Sequence, residues 1–241
     1  MNVLESLIES TPPVPVRRVL TGCFNTVVQS SGFGLASTLK PPLWQHEGVP
    51  GAGTLTTRNA RELAEFARLD STLAASVGIA AINSTRNEEG LPLKELNARE
   101  LLVEKGKGGV LGMIGHFPFV ERVREQFSDI LIFELDPQKG DLPAEKIKKR
   151  LKEADVVAIT ATSLINHSFH DIIAACRKES YRVLLGPSTP VTPELFHFGI
   201  DAVSGSIVTD SDSFLPMLAE GTPFRKLAGI SHVTLLKEDM N

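Results

Sequence analysis

The sequence predicts an α/β protein in two parts: a small α+β domain over residues 1–100, then a doubly wound, parallel, Rossmann-like sheet over residues 101–241. Three observations carry this expectation. From about residue 103 onward, strand-like and helix-like runs alternate strictly, which implies a parallel sheet with right-handed crossovers. Each of those strand-like runs is nearly continuous in Val, Ile and Leu, as strands covered by helices on both faces are. Residues before 100 show instead partial in/out alternation, a Ser-Gly turn and two helix-like runs.

In chain order, "MNVLESLIES" is a short amphipathic helix; with two Glu and no Lys or Arg it is not a signal peptide. "VRRVLTGCFNTVVQSS" and "FGLASTL" form a hairpin across the Ser-Gly turn. "WQHEGVPGAG" (44–53) is a loop. Two helices follow at 57–68 and 71–87, the second built from Ala, Val and Ile around Gly78 and so a buried packing helix. The parallel sheet then takes strands from 108–115, 129–136, 154–161, 181–188 and 202–208, each followed by a helix-like run, and "SHVTLL" closes the chain. Lys146, Lys148, Lys149, Arg150 and Lys152 fall in one of those helices with Ile147 and Leu151 on the opposite face, the pattern of a solvated helix surface.

The bulk numbers exclude several classes. A chain of 241 residues, 42% apolar and 22% charged, has an ordinary globular composition. A net charge of −4 lacks the basic footprint of a nucleic-acid binder. The longest small-apolar stretch, "TLAASVGIAAI", is too short to span a bilayer, so no membrane partner and a cytoplasmic location are expected. Cys23 and Cys176 belong to no CxxC pattern, which speaks against a disulfide framework or a structural zinc site. Cys176 is expected as a buried thiol and Cys23 in a strand. A homo-oligomer is compatible with the sequence but not specified by it.

Ligands of open parallel sheets bind outside the carboxyl ends of the strands. The loops there read "MIGHFPF", "FELDP", "ITATSLINHS", "LGPSTPVTP" and "SGSIVTD". In the first, Gly112 and Gly115 permit a tight turn, but the spacing is Gly-x-x-Gly, not the dinucleotide fingerprint, and His116 and Phe117 are bulky. His116 at a helix start is a candidate proton-transfer group. At the tip of the second strand Asp136 is the candidate carboxylate, with Glu134 a weaker one. Thr160, Thr162, Ser163 and Asn166 exceed what one helix cap needs and point to a polar ligand. His167 and His170, three apart, have the look of a metal pair, but without a third local ligand they are expected as solvated or packed side chains. In the fourth loop Thr192 and Pro193 read as a helix start, which leaves Gly186, Pro187, Ser188 and Thr189 as a stiff, hydroxyl-bearing rim. Asn25 inside a strand asks for a specific hydrogen-bonding role.

The strings "GCFNTVV", "GMIGHFPF", "ITATSLIN" and "LLGPSTPVTPELFHFGIDAVSG" resemble the family of putative heavy-metal chelation proteins, over essentially the whole chain. The resemblance implies an enolase N-terminal-like domain followed by a Rossmann-like domain partly similar to methyltransferases, with an active site in the cleft between them. It implies condensation or hydrolysis of pterin-, flavin- or siderophore-like compounds linked to metal chelation. Its motif positions fall on Asn25, His116, Thr162, Asn166 and the loop from Gly186 to Pro190.

The expectation is therefore a small-molecule-handling protein with His116 and Asp136 as its titratable pair. Its expected ligand is a small molecule, with a metal chelate as one option, and the sequence specifies no cofactor or metal. The alternatives are an S-adenosylmethionine- or nucleotide-dependent transferase, against which the missing Gly-rich fingerprint counts, and a non-catalytic carrier of a metal chelate. The premise shared by all three is that Gly115, Asp136, Asn166 and Ser188 converge on one hollow.

Overall fold

The computed structural model describes residues 2–39, 48–86 and 88–240. The first helix, α1 (Val3–Glu9), begins where Asn2 accepts a hydrogen bond from Leu4 N–H while Glu5 reaches back to Asn2 N–H. It buries Val3, Leu4, Leu7 and Ile8. The expected hairpin is a three-stranded antiparallel meander: β1 (Arg18–Thr21), β2 (Asn25–Gln29) and β3 (Phe33–Ser37). The run read as one strand breaks in two at residues 22–24, so Cys23 sits exposed in a turn and not in a strand. Of the loop expected at 44–53, residues 44–47 lie outside the described residues and 50–53 form turns.

Helix α3 (Thr72–Asn83) covers that sheet, and α2 (Ala60–Ala64) packs on α3. Helix α3 is buried from Ala74 through Ile82, as its Ala-rich composition requires. It lies so close to β3 that a methyl group on Gly34 would collide with the backbone of Ala80 and Ser84.

After α4 (Ala98–Gly106) comes a seven-stranded sheet. Its strands are β4 (Val110–Ile114), β5 (Asp129–Glu134), β6 (Leu142–Pro143), β7 (Val156–Thr160), β8 (Tyr181–Leu185), β9 (Ala202–Val208) and β10 (Ile230–Leu236). The spatial order is β10-β9-β8-β7-β4-β5-β6, and every pair is parallel except β10–β9 at one edge. Its first six strands thus follow the 3-2-1-4-5-6 order, and the order reverses between β4 and β7. Helices α5 (Val120–Val123), α6 (Ile147–Arg150), α7 (Thr162–Ile165), α8 (Phe169–Ala175) and α9 (Ser211–Ala219) complete the crossovers, and a 3₁₀ segment, Pro193–Phe198, stands where a helix was expected. That segment begins as its sequence reads, with Thr192 accepting from Glu194 N–H and Pro193 next. Two-residue β6 was not legible as a strand. Among the described residues no helix is long and apolar enough to cross a membrane.

The two faces of the large sheet are both covered. On one, Leu101, Leu111, Val156 and Val183 pack together. On the other, a continuous cluster runs from Leu7 and Ile79 through Ile159 and Leu164 to Leu235, so the smaller sheet and its helices share a core with the larger one. A polar tie reinforces this seam. Arg86 donates to Glu194 at 3.1 Å and to the Leu7 carbonyl at 2.8 Å, with its side chain only 9% exposed. Burial lowers the Arg86 pKa and the Glu194 carboxylate opposes that shift.

Removing Arg86 takes the cationic partner from the part-buried Glu194 carboxylate and the donor from the Leu7 carbonyl. Arg86→Ala is expected to cost about 3 kcal/mol of stability, read by urea unfolding; a loss below ~0.5 kcal/mol, the size expected of an exposed pair, would contradict this role.

Candidate functional site

Where the strand order reverses, the chains leaving β4 and β7 diverge and a crevice opens between them. It holds a cavity of about 250 Å³ lined by Gly115, His116, Glu134, Thr160, Thr162 and Asn166, with Phe117, Phe133 and Ile172 among its apolar walls. All of its lining residues lie between 114 and 172.

Gly115 turns the chain out of β4 with φ of +100°, a conformation that favours glycine, and its N–H donates to the Phe133 carbonyl at 2.9 Å. His116 follows. Its backbone N–H donates to Glu134 Oε1 at 2.6 Å, and its ring Nδ1 lies 3.2 Å from both carboxylate oxygens of Asp141. The Asp141 side chain is 2% exposed and also accepts from the Gln138 N–H. With Nδ1–H aimed at that carboxylate, the neutral imidazole keeps its lone pair on Nε2.

The opposite wall carries hydroxyls. Thr160 Oγ1 and Thr162 Oγ1 share a hydrogen bond of 2.9 Å, so one hydroxyl hydrogen of the two remains to be directed elsewhere. Asn166 Oδ1 accepts from Ser168 Oγ at 2.7 Å and Ser168 N–H at 3.2 Å. That commits its oxygen to the protein and leaves its amide N–H groups as donors.

The expected site residues fall in four places. Gly115, His116, Thr160, Thr162 and Asn166 line the crevice. Asp136 does not line it: β5 ends at Glu134, so the alternation that would have aligned residues 134 and 136 stops, and Asp136 is exposed in the following loop. Ser163 lies one residue past Thr162 in α7, about 100° around the helix, and lines a different pocket. Gly186, Pro187, Ser188 and Thr189 belong to the junction with the smaller sheet. Gly186 (φ +114°) turns the chain after β8, and Ser188 Oγ, fully buried, accepts from Ser37 N–H at 2.8 Å. Asn25 stands opposite Ser37 in the meander and is 2% exposed. At this junction Asn25 Nδ2 and Thr189 Oγ1 are buried without a hydrogen-bond partner.

Two site features escaped sequence reasoning. Asp141, and not Asp136, is the carboxylate that lies beside His116. It gets there because "QKGD" turns at Gly140 (φ +103°) and β6 pairs with the last two residues of β5. The Gly-Asp pair before "LP" was the available signal. Ser168 at the crevice wall is the second; it was read only as part of the polar loop.

Together, fold and crevice define a doubly wound α/β protein with a polar-and-aromatic cavity at its topological switch point. The chain belongs to the family described as Putative heavy-metal chelation: residues 97–237 match its DUF364 model and residues 4–85 a second model, DUF4213, of the same description. An uncharacterized protein of Methanocaldococcus jannaschii is 26% identical over 201 residues, covering 78% of this chain and 76% of the relative. A crystal structure of a DUF364-family protein of unknown function from Desulfitobacterium hafniense DCB-2 matches with a TM-score of 0.87 at 24% identity, covering 98% of each chain. Another from Pyrococcus horikoshii matches with a TM-score of 0.80 at 17% identity, covering 97% of this chain and 98% of that one. At these identities the structural likeness speaks for the fold alone.

The family description raises the question of a heavy-metal ion. Among the described residues, no group of three or more His, Cys, Asp or Glu side chains is arranged to hold one. Soft metals favour thiolates. Cys176 donates its S–H to the Ile172 carbonyl, and burial pushes its thiol up to about 11, while Cys23 stands exposed in its turn. This donor set does not fit direct binding of a soft ion.

The thiols give a direct check. Iodoacetamide at pH 8 is expected to alkylate Cys23 and spare Cys176 in the native protein, read by intact mass and peptide mapping. Cys176, expected as a buried thiol, is only half-buried, and equal labelling of both would contradict its lower exposure and raised pKa relative to Cys23.

Proposed function

We propose that the chain binds a small organic molecule in the crevice and that His116 transfers a proton to or from it. The observation that carries this reading is the His116 Nδ1–Asp141 contact beside a cavity at the switch point. Asp141 is the positioning residue: it holds the imidazole in the tautomer whose Nε2 can accept a proton. Thr160, Thr162 and the Asn166 amide orient the ligand, and Phe117 and Phe133 offer apolar faces to a planar ring.

The reaction class we favour is condensation or hydrolysis of a pterin-, flavin- or siderophore-like compound. His116 Nε2 takes the proton from the attacking N–H or O–H and returns it to the leaving atom. A heavy metal enters this scheme as cargo already held by the organic ligand, because the donors among the described residues do not fit a bare soft ion. We read the chain as two lobes, 1–100 and 101–241, with the crevice in the second. A transferase using S-adenosylmethionine or a nucleotide has less support. The His116 N–H, which would face an anionic group at the first loop, is already engaged by Glu134 at 2.6 Å.

Thermal-shift and calorimetric titration with pterins, flavins and catecholate chelates, each with and without divalent metal, tests the binding. A true ligand at 100 times its Kd adds about 2.7 kcal/mol of stability. With a turned-over compound, His116→Ala is expected to lower kcat by about 10²–10⁴-fold with binding retained. Asp141→Asn is expected to lower kcat with KM little changed. Unchanged turnover in His116→Ala would contradict the role given to this residue.

A further inference from the structure

A second cavity, of about 310 Å³, lies on the other side of α7, where α1 and the segment around Arg68 meet the start of α8. We infer that it is a binding site for a small organic monocarboxylate with an apolar body, separate from the crevice and independent of the function proposed for it.

The first observation is Ser163. Its side chain is fully buried, it lines this cavity, and its hydroxyl has no hydrogen-bond partner in the protein. Burying a hydroxyl unpaired is costly, and native chains rarely do so without a function for the group. The neighbouring side chains do not satisfy it because their polar atoms are committed elsewhere. His167 Nε2 lies 2.8 Å from the Ala67 carbonyl, which can only accept, so this nitrogen carries the hydrogen. His170 Nε2 is taken up by two contacts, Asn2 Oδ1 at 2.8 Å and the Val3 N–H at 3.3 Å. Asn2 in turn is fixed as the cap of α1.

The second observation is the sign of the lining. Arg68, His167 and His170 border the cavity and no Asp or Glu does, in a chain that carries 29 acidic residues against 25 Lys and Arg. Arg68 is tethered by Glu65 at 2.9 Å and lies 3.7 Å from Glu5, which holds the guanidinium at the rim without placing a carboxylate among the lining residues. The third is backbone geometry. His167 is the only described non-glycine residue with positive φ, at 62°, an uncommon conformation that turns the chain between α7 and α8 and is held by the bond to Ala67. The remaining walls, Val3, Leu4, Leu164 and Phe169, are apolar and buried. The Arg68 guanidinium at the rim, a buried hydroxyl and an aliphatic-aromatic wall suit a carboxylate head on a short hydrocarbon. Inorganic phosphate would leave the apolar wall unused.

The test uses the full chain and sodium hexanoate and benzoate as probes, with inorganic phosphate as the comparison anion, in calorimetric and NMR titrations. Wild-type protein is expected to bind at least one of the two carboxylates and to bind phosphate at least tenfold more weakly. Ser163→Ala is expected to weaken carboxylate binding roughly tenfold or more without lowering Tm, since it removes an unpaired buried group. Arg68→Ala, at an exposed position, should also weaken it, while His116→Ala should leave it unchanged. No binding of either carboxylate, equal binding of phosphate, or affinities unaltered in both Ser163→Ala and Arg68→Ala would overturn the inference. Loss of binding in His116→Ala alone would do so too, by placing the carboxylate in the crevice.

Discussion

The pairing of β4 with β7 as parallel neighbours is the constraint on which the rest depends. A parallel sheet whose order reverses at that pair has to send its next loops apart, and the gap they leave cannot be filled by either crossover. Everything polar in the crevice hangs from those two strands or from β5 beside them. His116 is two residues past β4, Thr160 ends β7, and Glu134 ends β5. The Glu134 bond to His116 N–H closes the first loop over the tip of β5, which is how the imidazole comes to lie beside Asp141.

Much of this was legible in the sequence, for physical reasons that differ by element. The buried strands announced themselves because a strand covered on both faces tolerates little except Val, Ile and Leu. β9 matches its expected run of 202–208 residue for residue. α3 was legible for the same reason in helical form, since its Ala and Gly positions let β3 and the Phe66–Ala67 backbone approach closely. Where burial did not dictate the residue type, reading failed. β6 is two residues long and carries no pattern. The turn at Cys23 interrupts a run whose composition stays strand-like on both sides. The closing strand β10 is antiparallel, which its composition could not distinguish from parallel.

The candidate site was half legible. Residue types at strand tips pointed to His116, Thr160, Thr162 and Asn166, because excess short polar groups at the end of an apolar strand have few structural uses. What the sequence could not reveal was direction. One residue along a helix separates Thr162, in the crevice, from Ser163, in the second cavity. Two residues past the end of β5, Asp136 carries its carboxylate out to solvent while Glu134 lines the crevice. The Ser188 loop turned instead toward the smaller sheet, where its hydroxyl serves as a backbone acceptor at the seam. The single hollow expected for Gly115, Asp136, Asn166 and Ser188 is therefore distributed over separate places.

The central claim is that Asp141 holds His116 with its proton on Nδ1 and its lone pair on Nε2. Long-range ¹H–¹⁵N NMR correlation of the histidine rings reads the tautomer directly. The account predicts that neutral His116 is protonated at Nδ1. A neutral His116 with its hydrogen on Nε2 would contradict it, because the base assigned to the crevice would then be turned toward a carboxylate and unable to accept a proton from a ligand.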